Sequence, residues 1–390
     1  MRGAIAVPAA IAVAHGLNDL YAAFLHPLLP RIMERLGLNI ALAATLAMTL
    51  SLAASLVQPA MGHLADRYGR RTFIVLGPVL SAVFLSLIGV APSFLLLALF
   101  LALAGLGSAA FHPPAASMAA AAGSSRTMGA RYSVFSFGGA LGYALGPLVA
   151  VAIVTRGGLD ALAWAMLPML VFAPVLFMLV PSGAHERSRH AQRTGEPLGL
   201  RRLLRGPLGL VFGVSAAGAF IQRVYLTMEP ILVNQAGGSE QAGATALSIY
   251  LGAQALGSLS GGLLADRMER RSLLIWLTAL SLPAHAVALA LPPGSPAGIA
   301  ATIAAGFVNM AILPPIVLLA QELLPTGASL GAGIVMGAAW ATGSVAMLGI
   351  GVLADQIGAQ PAALAAVPLT AVGLALAWAL PHMPAVRHRT

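Results

Sequence analysis

Long apolar runs broken by short polar clusters set the pattern of this chain. A helix needs about 20 mostly apolar residues to cross the hydrocarbon of a bilayer. Twelve stretches reach that length, roughly 5–30, 40–64, 72–91, 94–122, 128–155, 160–181, 207–233, 242–265, 272–291, 296–323, 328–354 and 360–381. The first begins directly after Met1-Arg2, as a secretory signal does, but it continues through Pro30 and has a counterpart later, so it reads as a span. One break is long. Pro181 to Gly206 holds six arginines, two glutamates and two histidines. It predicts an N-terminal bundle at 1–181, a cytoplasmic linker at 182–206 and a C-terminal bundle at 207–390.

The pattern repeats. Gly62-His63-Leu64-Ala65-Asp66-Arg67, followed by Arg70-Arg71, recurs 200 residues on as Gly262-Leu263-Leu264-Ala265-Asp266-Arg267, followed by Arg270-Arg271. Pro113-Pro114 recurs as Pro314-Pro315 at an offset of 201, and His26-Pro27-Leu28-Leu29 as Glu229-Pro230-Ile231-Leu232 at 203. Near-constant offsets predict an all-α membrane protein: twelve transmembrane helices in two pseudo-symmetric six-helix bundles. An axis along the membrane normal would relate them, with the substrate site between them near the midplane.

Composition agrees. The 390 residues are 59% hydrophobic and 8% charged, against about 25% charged in a soluble domain. Cysteine is absent, which excludes disulfides and thiolate-bound metals. A net charge of +9 raises the question of nucleic acid, yet the arginines fall in clusters between apolar runs rather than on one face. With the N-terminus inside, 17 of the 21 arginines lie on the cytoplasmic side and three outside, namely Arg31, Arg35 and Arg156; Arg223 lies within a span. That asymmetry predicts a multi-pass protein of a bacterial inner membrane with both termini cytoplasmic and no nucleic-acid partner. Linker arginines would meet anionic lipid headgroups. There is no P-loop, so a proton gradient rather than ATP is the expected driving force, without a cofactor. The nine histidines are scattered without the spacing of a metal site, so no metal is expected.

Ionisable groups inside a span are expensive and are functional candidates by default. His15, Asp19 and His26 fall at i, i+4 and i+11 and so share a helix face, with Asn18 adjacent. Asp19, near mid-membrane, is either a proton-coupling carboxylate exchanging a proton with His15 or a structural one bonded to neighbouring helices. The 203 offset puts Gln222 opposite Asp19 and Arg223 one residue on. Arg223 either binds an anionic substrate through its planar fork or pairs internally with Asp19 or Glu229. His112 precedes two prolines expected to break the helix; it either lines a cavity and assists proton transfer or satisfies the kink. Asn309, Tyr21, Tyr225 and Gln254 either face the pore or pack. Glu322 and His285 are gate or interface candidates, and Asp355 is read as solvated at a span's end.

The loop Gly62-His63-Leu64-Ala65-Asp66-Arg67-Tyr68-Gly69-Arg70-Arg71 resembles the signature loop of the major facilitator superfamily, and its second copy strengthens the likeness. In both copies, Asp66, Arg67, Arg70 and Arg71 and then Asp266, Arg267 and Arg270 are candidates to hold a cytoplasmic gate through carboxylate pairs and helix termini. Gly138-Gly139-Ala140-Leu141-Gly142-Tyr143-Ala144-Leu145-Gly146-Pro147 resembles the glycine-proline motif of helix five in antiporters of that superfamily; spacing of four lets Gly138, Gly142 and Gly146, ahead of Pro147, admit a neighbouring helix closely. Within the superfamily, His15-Gly16-Leu17-Asn18-Asp19, Ser55-Leu56-Val57-Gln58-Pro59 and Gly105-Leu106-Gly107-Ser108-Ala109-Ala110-Phe111-His112-Pro113 resemble the fosmidomycin-resistance branch of efflux proteins. That branch carries an acidic residue just after the His-Pro, where Pro114 stands here. The resemblance implies a monomeric, proton-coupled exporter of a small anionic solute or antimicrobial, working by alternating access. Import of an organic anion by a symporter or facilitator is the alternative, and a lipid flippase a third.

Overall fold

A computed structural model describes residues 2–121, 128–181, 205–324 and 328–381. Among these every regular element is helical. The first half contains α1 (Arg2–Ala22), α2 (Leu25–Leu36), α3 (Ile40–Leu56), α4 (Gln58–Tyr68), α5 (Arg70–Ser86), α6 (Phe94–Ala121), α7 (Met128–Gly157) and α8 (Leu167–Leu179). The second contains α9 (Pro207–Gln235), α10 (Glu240–Ala265), α11 (Arg270–Ala290), α12 (Pro296–Ala311), α13 (Leu313–Leu323), α14 (Ala328–Gly333), α15 (Ala339–Ile357), α16 (Ala359–Ala365) and α17 (Pro368–Trp378). Ten segments, from Arg70–Val90 to Ala359–Trp378, are long and apolar enough to cross a membrane, and the pair α3–α4 makes an eleventh. α1 and α2 precede them, in the order of the twelve apolar stretches. The linker, apart from Arg205 and Gly206, lies outside the described residues, as do Arg126, Arg387 and Arg389.

Prolines decide where spans break. A proline in a helix opposes the carbonyl four residues back and offers it no N–H. Pro27 does this to Ala23, and the first span parts between α1 and α2 there. Pro59 does it to Ser55, and α4 leaves α3 at a bend of 44°. Pro314 and Pro315 part α12 from α13 at Ile312. The expected break at Pro113-Pro114 is corrected: α6 runs unbroken from Phe94 to Ala121. Its flank explains this. A Cβ built at Gly107 would meet the Gly77 carbonyl oxygen at 2.6 Å, so α5 clamps α6 backbone to backbone just before the prolines. The φ that proline demands is itself helical.

The helices of each half pack mainly on one another. The halves meet where α3 lies against α15, α7 against α10, and α2 against α9. Ile40, Ala44 and Ala144 of the first half share a buried core with Tyr225, Leu247 and Met347 of the second. Large apolar side chains such as Leu95, Val171, Met178 and Trp276 stand on the outside, where a bilayer is the only solvent that accepts them.

The tightest helix pair is α1 with α7. A Cβ on Gly142 would fall 1.9 Å from the Gly16 carbonyl oxygen, and one on Gly146 would fall 2.4 Å from that of Leu20. Side-chain-free backbone is therefore what brings α1 and α7 together. Gly142→Ala is expected to push them apart and to cost about 1–3 kcal/mol, the range of overpacking. Gly252→Ala, with nothing within 4 Å of the added carbon, should leave stability unchanged or raise it. Thermal unfolding of the two variants in detergent compares them.

Candidate transport site

Close packing of α1 against α6 and α7 gathers three donors at one point. His15 Nε2 lies 3.2 Å from Asp19 Oδ2, one turn along α1. His112 Nε2, from α6, lies 3.2 Å from His15 Nε2 and 3.3 Å from Asp19 Oδ1. Both rings are held from behind. His15 Nδ1 donates to the Phe135 carbonyl at 2.7 Å, and His112 Nδ1 to the Ser108 carbonyl at 2.8 Å. A carbonyl only accepts, so each Nδ1 carries a hydrogen and each Nε2 is turned to the cluster. The Phe135 ring stacks on His15 with centroids 4.0 Å apart. Asn18 donates to Asp19 Oδ1 at 3.0 Å and to Ser108 Oγ at 3.2 Å, which steadies the carboxylate. Gly139 forms the wall: a Cβ there would sit 2.4 Å from His15 Nε2 and 2.7 Å from Asp19 Oδ2. The Asp19 and His112 side chains keep 20% and 27% of their surface exposed, so the cluster is open on one side.

Across from it, α9 carries Arg223. Its guanidinium carbon stands 5.6 Å from the centre of the Trp340 ring, and the Tyr143 phenol of α7 lies within its electrostatic reach. Its Nε is buried without a partner among the described residues. Tyr143 is also within electrostatic reach of Asp19, so it stands between the two charged sites. Gln222 donates to Gln254 at 3.0 Å. Asn309 Oδ1 is buried without a hydrogen-bond partner among the described residues, in a small cleft with Gly218, Gln222 and Trp340. Tyr225 stacks on Tyr250 at 4.3 Å and meets His285 Nδ1 through its hydroxyl at 3.3 Å, so it belongs to packing. So does Tyr21, whose hydroxyl donates to the Ala165 carbonyl at 2.8 Å.

Two side chains, Arg31 and Asp355, tie the halves together on the face that bears Arg31. Arg31 Nε bonds Glu240 Oε1 at 2.5 Å. The Asp355 carboxylate accepts from the Ile40 amide at 2.8 Å and from the Ala41 amide at 3.0 Å, capping α3 of the opposite half. On the other face the repeated loops bond locally. Arg70 pairs with Asp66 at 2.7 Å and reaches Ser117 at 3.3 Å. Arg71 donates to the Phe177 carbonyl and lies over that ring; Arg270 pairs with Glu322. Arg67 lies over its neighbour Tyr68. Arg70, Arg71 and Arg270 thus bond within their own half. Beyond the second loop, Glu269 caps α11: burial favours its neutral form, but bonds from Ser272 and the Arg271 amide outweigh this and hold its carboxyl below the usual range.

Four expectations are corrected. His26 does not share a face with His15 and Asp19, because the break at Ala23 and Phe24 turns it away; it is buried within electrostatic reach of Arg223. Arg223 forms no ion pair with Asp19 or Glu229 among the described residues; Glu229 is buried near Tyr225 and Tyr250 instead. Asp355 is a helix cap rather than a solvated acid. The expectation that the histidines form no metal-type grouping also fails, since ligand atoms of His15, Asp19 and His112 lie within 4.8 Å of one another. Sequence reasoning missed Tyr143, Trp340, Gly139, Arg31 and Glu240. Tyr143 had a signal: it is the polar residue inside a glycine run read only for packing.

With that geometry in place, the comparisons with known proteins agree with the motifs. Residues 11–244 match the profile of the Major Facilitator Superfamily, and the chain belongs to that superfamily. It is a multi-pass membrane transporter. It is 28% identical over 365 residues to the "Fosmidomycin resistance protein" of Escherichia coli K12, covering 91% of this chain and 88% of that one, so the resemblance read from three motifs is borne out. It is 27% identical over 350 residues to the "Probable 4-methylmuconolactone transporter" of Cupriavidus pinatubonensis, covering 85% and 79%. A crystal structure of a mutant of the nucleoside transporter NupG superposes with a TM-score of 0.77 at 14% identity, covering 96% of this chain and all of that one, a likeness of fold.

The Asp355 cap generates a prediction. Removing a carboxylate from a helix N-terminus costs about 1–2 kcal/mol. Asp355→Ala should therefore open the Arg31 face more often. Ala44→Cys places a thiol in the buried seam of a chain without other cysteines. Its reaction with an impermeant maleimide applied from the Arg31 side is expected to quicken several-fold when Asp355→Ala is added.

Proposed function

We propose that the protein is a proton-coupled exporter of a small organic anion. Both termini lie in the cytoplasm and the Arg31 face is periplasmic, a placement the arginine distribution supports. The bonds of Arg31 and Asp355 then close the periplasmic side. One observation carries the reading. Arg223 is a permanent cation in the membrane interior with no carboxylate partner among the described residues and with one buried Nε unanswered. A charge at that depth costs about 2.5–3.5 kcal/mol on insertion scales. An anionic substrate would answer it, seated between the guanidinium, the Tyr143 phenol and the Trp340 ring. Asp19 and its two imidazoles would hold the proton, one imidazole at a time. Tyr143 lies within electrostatic reach of both sites, so charge at one changes the field at the other. The two halves would rock about these sites as the periplasmic bonds break and reform. The efflux direction is supported by the fosmidomycin-resistance relative.

Uptake of an organic anion is the second reading, favoured by the relative described as a 4-methylmuconolactone transporter. The same Arg223 and Asp19 would serve it, and the direction of proton flow separates the two.

Two outcomes are expected. In liposomes containing a pH-sensitive dye, a phosphonate antibiotic or a small carboxylate should dissipate an imposed pH gradient, with protons moving opposite to the anion. Asp19→Asn should abolish gradient-driven accumulation and leave anion exchange intact. A variant that still concentrates substrate would remove Asp19 from coupling. Arg223→Gln deletes a charge-assisted contact of about 1.5–3 kcal/mol. It should raise the half-saturating concentration of anion roughly 10- to 100-fold in the same assay, while uptake of a neutral analogue is unaffected.

A further inference from the structure

The cluster on α1 and α6 has more order than proton transfer needs. The two Nε2 atoms lie 3.2 Å apart, and each faces its own oxygen of one carboxylate, His15 at 3.2 Å from Asp19 Oδ2 and His112 at 3.3 Å from Oδ1; one ligand atom from each residue lies within 4.8 Å of the others. Both Nε2 atoms present lone pairs inward whenever the rings are neutral, because each Nδ1–H is engaged by a backbone carbonyl. A carboxylate oxygen completes the set. One proton lies on one line and leaves the other contacts unbridged; a neutral pair of rings would leave two lone pairs facing each other. A tetrahedral ion can take one nitrogen from each ring and an oxygen from the carboxylate together. With bonds of about 2.0–2.1 Å to nitrogen and carboxylate oxygen, its ligands stand about 3.3 Å apart.

We propose that His15, Asp19 and His112 bind one divalent transition-metal ion of the zinc class. Imidazole nitrogen together with carboxylate oxygen suits that class and not magnesium or calcium. The surroundings match a metal site. Backbone carbonyls accept from both ring Nδ1 atoms, which fixes the tautomer that ligation needs. Asn18 steadies the carboxylate. The open side of the cluster leaves a fourth position for water or an anion, the arrangement of a reactive rather than a closed structural site. Gly139 supplies the room that a side chain would fill. Metal and proton are alternative occupants of the same donors. The proposal stands apart from the transport reading, since binding is measured at one pH with no gradient and no substrate.

The test uses full-length protein purified without a histidine tag and titrated with Co²⁺ as a visible stand-in for Zn²⁺. One equivalent per chain is expected, with the absorption bands of a four-coordinate ion and displacement by Zn²⁺. His112→Ala and Gly139→Ala should each weaken binding at least about tenfold, the scale of a damaged ligand shell. His63→Ala, an exposed histidine on α4, should not. Thermal unfolding checks that each variant is folded. X-ray absorption of the zinc-loaded wild type, which depends on no variant, should report two imidazoles and an oxygen in the first shell. Absence of binding to folded wild type would overturn the proposal. So would binding that survives His15→Ala with His112→Ala, sensitivity confined to His63→Ala, or a first shell without imidazole.

Discussion

A charge inside hydrocarbon has no water to answer it, and the arrangement of this interior follows from that constraint. The two halves meet it differently. In the first, the Asp19 carboxylate is surrounded by two imidazoles and an amide supplied from three directions. In the second, the Arg223 guanidinium is given a ring face, a phenol and no carboxylate. One charge is satisfied from within and the other is left to be satisfied from without. The proposed function rests on that inequality, with a site that would store a cation beside one that would take an anion.

Much of the architecture was legible from the chain. Apolar length is a bulk property of some 20 consecutive positions, and no single residue can hide it. Eleven of the twelve stretches therefore recur in order as helices, or a bent helix pair, long and apolar enough to span, with α1 and α2 at the place of the first. Breaks within spans depend on how each proline is clamped by its neighbours. The sequence motif at Pro113-Pro114 looks like that at Pro314-Pro315, yet only the second parts its helix. Periodicity along α1 correctly paired His15 with Asp19 and wrongly added His26, because a face persists only while the helix does. His112 and Asp19 are 93 positions apart, and Asp355 and Ile40 are 315 apart; contacts of that kind arise from tertiary packing and leave no local pattern.

The internal repeat shows where scaffold and chemistry part company. The Asp-Arg loops and the proline at Pro27 and Pro230 persist in both copies, although only Pro27 parts its helix while α9 runs unbroken through Pro230. At the positions facing the interior, Asp19 is matched by Gln222 and His26 by Glu229. The two copies thus supply equivalent frames whose interior polar side chains differ, so that each holds a different kind of charge.

The Asp355 cap has a consequence for how this surface can change over evolutionary time. An ion pair such as Arg31 with Glu240 has two side chains, so a loss on one side can be mended by a change on the other, or the charges can be exchanged. Asp355 bonds to main-chain amides of α3, which every residue except proline provides. Drift at Ile40 or Ala41 is invisible to the contact, and no second-site change in α3 can restore it once Asp355 is gone. One half of the molecule thus holds sole control of a contact that both halves share.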